Sequence, residues 1–405
     1  MTNLLWPGDQ RAGEHMSDQA LLQSMLAVES AWLGALGTAG LAPVATADLR
    51  NLVGEQDCER IAAGAEDGGN PVIGLVALLR QRTVPALSPW IHRGLTSQDV
   101  IDTALMLALR GVITGLGAQL ARQIDALSAL AAAHRGTPMV ARTLTQHAAP
   151  TTFGAKAAGW LNAVLDARDR LDGLSTPAQF GGAVGTCSAT VELATLGTGA
   201  ADPAELAESV ARTAATMLGL DYRAPWHTAR GPVTVAADAL VACTDSWGRI
   251  ASDVVTLVRP EIGEVSEPAT AGRGGSSSMP HKRNPVLSIL IRRAAISAPP
   301  LAATLHQAAA LANDERPDGA WHVEWDTLRT LARRTLVAGS QCGELLAGLQ
   351  VHAGRMAENL DATDLLGEQR AIAELTGKEP SPTYFGAIDR LIDESLRRAR
   401  HAVGG

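Results

Sequence analysis

Residues 96–127 read TSQDVIDTALMLALRGVITGLGAQLARQIDAL, and their spacing predicts one long helix. Apolar side chains fall at Ile101, Ala104, Leu105, Ala108, Leu109, Val112, Leu116, Leu120, Ile124 and Leu127. Steps of three and four keep them on one face for about seven turns. Thr96 followed by Asp99 has the form of a capping box with a shortened acid, which sets the helix start near Ser97. A second stripe runs through Phe153, Ala157, Trp160, Leu161, Val164 and Leu165, opened by Pro150 and Thr151. Further helical patterns cover about residues 233–258, 286–312 and 323–349, with a bend expected near Pro299–Pro300. No run of alternating β-branched residues breaks the pattern. The expected fold is all-α, built around a bundle of unusually long helices.

Outward from that bundle the texture changes. Residues 1–95 carry shorter helical patterns with loops at Gly68–Pro71 and Pro85–Pro89, and are expected to form a small N-terminal α domain. Residues 96–350 form the long-helix core. Residues 351–405 are more polar and end in an Arg-rich helix, Ile388–Ala402, as a short C-terminal α domain. The whole chain has 405 residues, 46% of them hydrophobic and 19% charged, enough apolar material for a large core. Aromatic residues are only 3%, which favours close packing of slim helices.

A net charge of −8 argues against a nucleic-acid partner, which needs a basic field. Cys58, Cys187, Cys243 and Cys342 lie far apart without a CxxC pair, so neither a disulfide scaffold nor a zinc ribbon is expected. The start, MTNLLWPGDQRAGEH, does not read as a secretory leader. Arg122 and Asp125, or Arg292 and Arg293, interrupt the longest apolar stretches, so no membrane partner is expected and a cytoplasmic location fits.

Three polar islands stand out. Ile91–Ala104, IHRGLTSQDVIDTA, crowds His92, Arg93, Thr96, Ser97, Gln98 and Asp99 at a helix start. Free N–H groups there suit a carboxylate or phosphate, although ordinary capping explains Thr96 and Asp99 equally well. Arg142–Gly154, RTLTQHAAPTTFG, reads as a polar loop before the next long helix, either connecting or ligand-binding. Gly272–Pro285, GRGGSSSMPHKRNP, joins a Gly/Ser run to a rigid cationic turn. It lacks the GxxxxGK[ST] order of a phosphate-cradling loop and is too structured for a linker.

GSSSMPHKRNP, Gly275–Pro285, resembles the GSSxMPxKxNP signature of the fumarase/aspartase superfamily at every fixed position. HRGLTSQDVIDTA and RTLTQHAAPTTFG are similar to that superfamily's first and second regions, in its adenylosuccinate-lyase-like branch. The three occur in order across a match of roughly residues 15–360. The resemblance implies three α domains and a homotetramer with a twenty-helix core, each active site composed from several chains. It implies proton removal beside a carboxylate and loss, or addition, of a group at the neighbouring carbon. The aci-carboxylate so formed needs fixed donors and cations. By resemblance Ser276 is the base, Lys282 and Asn284 grip a substrate carboxylate, and Thr96, Ser97, Thr145 and Gln146 supply further donors. Ser276 would need activation by loop closure, backbone N–H groups and Lys282.

One departure narrows the branch. Related lyases with a nitrogen leaving group carry a histidine, their general acid, where Leu144 stands. A carboxylate leaving group needs no such acid, its conjugate acid having a pKa of about 4. Gly319–Trp325, GAWHVEW, resembles the Gly-Ala-Trp-x-x-Glu-Trp stretch of the 3-carboxy-cis,cis-muconate cycloisomerase branch, while Trp321 and Trp325 also suit simple packing one turn apart. That branch implies lactone formation in protocatechuate breakdown, with Ser276 delivering the proton and His92 orienting a carboxylate or donating a proton. Arg93, Arg142, Arg273 and Arg316 are candidates for gathering a small polycarboxylate. The competing expectations are an adenylosuccinate lyase with His147 as substitute acid, and a non-catalytic scaffold on the same fold. The tail after Arg355 is expected to be short for the branch. No cofactor is expected, and no metal, since HExxH-like spacing is lacking.

Overall fold

The structure, a computed structural model, describes residues 3–44, 48–270, 272–276, 278–279, 281–362 and 364–404. Helices dominate, as the apolar stripes require. In chain order they are α1 (Asp18–Thr38), α2 (Cys58–Gly68), α3 (Val72–Arg82) and α4 (Ser97–Ala133). A hairpin of β1 (Pro138–Thr143) and β2 (Gln146–Thr152) then leads into α5 (Phe153–Asp172), α6 (Ser188–Thr198), α7 (Pro203–Leu218) and α8 (Gly231–Leu257). After β3 (Val265–Ser266) come α9 (Val286–Ala310) and α10 (Gly319–Ala347), then β4 (Gln350–Val351), α11 (Ala353–Asp361), α12 (Gly367–Thr376) and α13 (Ile388–Gly404). α4 starts at Ser97 as its cap predicted, and α9 runs through Pro299–Pro300 without a break.

The chain divides into two compact units, and the long helices contribute to both. One unit holds residues 1–114, 174–238 and 300–333. Its core is apolar faces of α1, α3, the first turns of α4, and α7, with Leu26, Leu33, Leu75, Leu79, Val100 and Ala214 buried. Ser17 caps α1 by accepting from Ala20 N at 3.1 Å, and Asp202 with Pro203 caps α7.

The other unit holds residues 115–173, 239–299 and 334–405. Here polar side chains stitch the long helices. Gln119 and Gln123 of α4 donate to Leu336 O and Gly339 O of α10 at 3.2 and 2.8 Å, while Trp247 Nε1 of α8 donates to Gln123 Oε1 at 2.7 Å. α13 packs on α5 through Ile392, and Asn162 meets Ser395 at 2.9 Å.

The stretch before α5 corrects the sequence expectation of a loop. Residues 138–152 form an antiparallel hairpin in which Arg142 faces His147 and Thr143 faces Gln146. The two-residue turn puts Leu144 and Thr145 at φ 48° and 71°, the mirror-image conformation that matches strand twist. Phe153 N and Gly154 N then donate to Thr137 O and His134 O, both at 2.9 Å, folding α5 back on the end of α4. A Cβ on Gly154 would stand 2.7 Å from Ala131 O, so this crossing requires glycine.

By length and composition three helices could also cross a membrane, contrary to the sequence expectation. In α1 and α4 most of that apolar window, 67% and 56%, is buried within the protein, as in any core helix; in α9 only 33% is.

Candidate active site

The first island lies in the first unit, where α4 begins. Asp99 is fully buried and accepts four hydrogen bonds: Thr96 N at 3.0 Å, Gly181 N at 2.8 Å, Gly182 N at 2.9 Å and His227 Nε2 at 3.0 Å. The capping acid therefore also fixes the Gly181–Gly182 strand of chain against the helix. Thr96 Oγ1 is not used in the cap. It accepts from Arg316 Nη2, which also donates to Ala183 O at 3.1 Å. Arg316 thus rests on neutral acceptors, and its Nε is buried with no partner among the described residues. Ser97 is half-buried at the helix start, and its hydroxyl has no partner among the described residues. His92 stands in the left-handed region at φ 60°, with Nδ1 2.6 Å from Glu29 Oε1. Arg93 is exposed, and its guanidinium donates to Pro89 O.

Beneath them runs a buried ionic network. Arg230 pairs with Asp102 at 2.7 Å and Glu324 at 2.5 Å, each about 1–2% exposed, and Trp321 Nε1 donates to Asp102 at 3.0 Å. Burial works against the Arg230 charge, but the two carboxylates outweigh it and hold its pKa above the ordinary value. Burial pushes the Glu324 carboxyl up despite Arg230. The GAWHVEW stretch is accordingly explained by this network: Trp321 and Glu324 support the α4 start, and Trp325 packs edge-on to Trp321 at 4.7 Å.

The second and third islands lie in the other unit. Thr145 and Gln146 are exposed at the hairpin tip and touch each other at 3.2 Å; Leu144 beside them is 96% exposed. The third island is a loop with pinned ends. Glu267 accepts from Leu287 N and Ser288 N at 3.0 and 2.7 Å, capping α9 from outside the helix. Gly274 O accepts from Asn284 N at 2.8 Å and from Asn284 Nδ2 at 3.1 Å. A Cβ on Gly274 would lie 2.6 Å from Asn284 O, and its φ of 73° also demands glycine. Between these ends Ser276 Oγ accepts from Met279 N at 3.1 Å and Ser278 N at 3.4 Å. Two N–H donors aimed at one hydroxyl oxygen favour its deprotonated form. Lys282 is exposed and has no ion-pair partner among the described residues. Signature positions Ser277 and Pro280 lie outside the described residues.

His92, Arg93, Thr96, Ser97 and Arg316 thus share one unit, and Thr145, Gln146, Ser276, Lys282 and Asn284 the other. Two arginines expected to gather anions are already committed. Arg142 makes a bidentate pair with fully buried Glu264 at 2.9 and 2.7 Å, and Arg273 pairs with Glu344 at 2.6 Å. Their charge is neutralised within the fold, whereas Arg93 and Arg316 meet no carboxylate among the described residues. Sequence reasoning missed Glu29, Asp99 as an anchor, His227 and Glu267. Glu29 did leave a signal, a lone acid inside the apolar run MLAVESAWLGAL.

Residues 55–299 match the sequence profile of the family described as Lyase. Nitrosuccinate lyase from Streptomyces davaonensis is 43% identical over 89% of this chain and 77% of its own length. The 3-carboxy-cis,cis-muconate cycloisomerase of Bradyrhizobium diazoefficiens is 42% identical over 92% and 83%. The crystal structure of the Pseudomonas putida 3-carboxy-cis,cis-muconate lactonizing enzyme superposes with a TM-score of 0.80 at 35% identity, covering 97% of this chain and 86% of that one. These relatives and the GSSxMPxKxNP loop agree, and the chain is an enzyme of the lyase and cycloisomerase kind, a member of the Lyase family within the fumarase/aspartase superfamily.

Proposed function

We propose that the chain interconverts 3-carboxy-cis,cis-muconate and 4-carboxymuconolactone, a step in protocatechuate (β-ketoadipate) breakdown. The observation that carries this reading is Leu144. An apolar side chain, 96% exposed at a hairpin tip, occupies the place where lyases that expel nitrogen keep their acid. In lactonisation one substrate carboxylate oxygen bonds to an alkene carbon, and the π electrons move onto the neighbouring carbon as an aci-carboxylate. Ser276 then gives that carbon a proton. In the reverse direction the serine oxygen takes the proton and the carboxylate leaves with the C–O pair. Being a weak base, it departs unprotonated.

Arg93, Arg316, Thr96, Ser97, Thr145, Gln146, Lys282 and Asn284 are assigned to the substrate's carboxylates and His92 to its orientation or protonation, with no cofactor. Because the assigned residues are split between regions remote in sequence, we assign a cytoplasmic homotetramer with composite sites. The surface left apolar on α9, where Ile289 and Ile296 are 49% and 70% exposed, supports a covering copy. A second reading is favoured by the nitrosuccinate lyase relative: elimination of nitrite from nitrosuccinate. Nitrite is also a weak base, so Leu144 is compatible with it.

Incubation with 3-carboxymuconate, nitrosuccinate and adenylosuccinate, followed by ultraviolet absorbance, tests the choice. Consumption of the muconate diene is expected. Turnover of nitrosuccinate or adenylosuccinate with the muconate untouched overturns it.

A further inference from the structure

Glu29 sits on the buried side of α1 and is 1% exposed. Its Oε1 lies 2.6 Å from His92 Nδ1, while Oε2 is buried with no partner among the described residues. A buried carboxylate with a single partner is a costly choice for a position where leucine or glutamine would pack. The group it meets is unusual as well. His92 holds φ 60°, a conformation that a non-glycine residue adopts only at a cost, and its side chain retains 17% exposure.

Such strain persists where the surroundings over-determine it, and here they do. Arg80 of α3 donates to Ile91 O at 3.0 Å, and Trp32, one turn beyond Glu29 on α1, donates to Arg93 O at 2.8 Å. Gly94 follows at φ 88°, so close to α6 that a Cβ would stand 2.7 Å from Thr190 Oγ1. Four consecutive residues are clamped by groups from three helices. The clamp fixes the backbone; Glu29 fixes the ring. A carboxylate has no hydrogen to give, so an ionised Glu29 accepts from Nδ1 and a neutral ring then keeps its lone pair on Nε2. Nε2 has no hydrogen-bond partner among the described residues, which leaves it available to a ligand.

From this geometry we infer that Glu29 is the positioning residue for His92. It imposes the Nδ1–H tautomer and the ring orientation that turns Nε2 toward substrate. The inference rests on the reading that places His92 in the substrate site. It adds that a carboxylate outside the three sequence islands, in the first helix, sets what that histidine can do: accept a hydrogen bond at Nε2 when neutral, donate one when protonated.

Protein labelled with 15N at histidine, with the His92 signals assigned by comparison with His92→Asn, reports the tautomer directly. Wild type is expected to show Nδ1–H. In Glu29→Leu the acceptor is gone and the ring should shift to the Nε2–H form that free histidine prefers. In Glu29→Gln, Oε1 still accepts and the Nδ1–H form should remain. For turnover, Glu29→Leu should lower kcat by about 10–100-fold with KM within about threefold, as removal of an outer-shell orienting group does. Glu29→Gln should recover most of that loss. If leucine is not accommodated, Glu29→Ala is read in the same way. Persistence of Nδ1–H without the carboxylate, or equal damage in the Gln and Leu variants, overturns the inference. The tautomer signal needs no substrate. A shift seen in a protein that turns over none of the three acids upholds the role of Glu29 and overturns the functional reading instead.

Discussion

The start of α4 and the loop before α9 both carry expected site residues, yet they are built in opposite ways. At residues 91–99 several polar groups are spent inward: Asp99 on four donors, His92 on Glu29, and the 91 and 93 carbonyls on Arg80 and Trp32. At residues 267–285 the ends are pinned, Glu267 on the α9 N-terminus and Gly274 on Asn284, and Arg273 pairs with Glu344, while Lys282 stays exposed. One region is preorganised before any ligand arrives. The other holds its serine between fixed ends and leaves its cation for something outside. Under the function proposed above, the two kinds of part serve different needs, fixed donors for binding a polycarboxylate and a held hydroxyl for moving a proton.

The largest expected effect breaks the second region alone. Ser276→Ala should reduce turnover by about 10³-fold or more, the upper range for losing a positioned proton carrier, while the thermal midpoint hardly moves. Among the described residues the hydroxyl makes two weak contacts, with Met279 N and Ser278 N, so stability has little to lose. Steady-state rates and a melting curve on the same sample check this. Retained turnover would remove serine from its role.

Next in size is Arg142→Met. It strands Glu264, which is fully buried, with Asn359 Nδ2 at 2.8 Å as a remaining donor. Removing one partner of a buried pair costs about 3 kcal/mol, to be read from denaturant midpoints. A loss of substrate affinity without a loss of stability would return Arg142 to the anion-gathering role that its pairing now denies it.

Arg316→Met probes the preorganised region and should be milder. Among the described residues the guanidinium donates to Thr96 Oγ1 and Ala183 O alone. KM for the tricarboxylate is expected to rise about 10–100-fold, the size of one charged hydrogen bond, with stability nearly unchanged. An unaltered KM would mean that Arg316 is only a clasp between the α4 start and the 181–187 segment.

The same contrast explains what was legible beforehand. The α4 stripe and its Thr96–Asp99 cap are local patterns within one helix, and the helix begins where they say. The hairpin was not readable, because its turn carries Leu144-Thr145 where Asn-Gly would announce a mirror-image turn, and Pro150 stands inside β2. GSSxMPxKxNP could be read as a motif, but not how its ends are held: Glu267 and Gly274 act through contacts that exist only after folding. Glu29 and Arg230 were invisible for a related reason. Their partners lie 63 residues away at His92, and 128 and 94 residues away at Asp102 and Glu324. Buried polar pairs of that separation leave no periodicity to detect, only an isolated charge among apolar neighbours.

The smallest expected effect is the sharpest on function. Leu144 is held at φ 48° with its side chain 96% exposed, so within one chain it contributes strain and no packing. Asparagine tolerates this conformation far better. If stability alone governed the position, Leu144→Asn should stabilise the protein by about 1 kcal/mol, the usual αL penalty, a shift of about 1–2 °C in a chain this large. We expect that gain in isolated, diluted chains. In the homotetramer proposed above we expect it to shrink or reverse, because a second copy covering the apolar tip would offset the backbone penalty. Melting curves at two protein concentrations on either side of assembly separate the cases. An equal gain at both would show that the tip meets nothing, and Leu144 would then cease to speak for the chemistry of the leaving group.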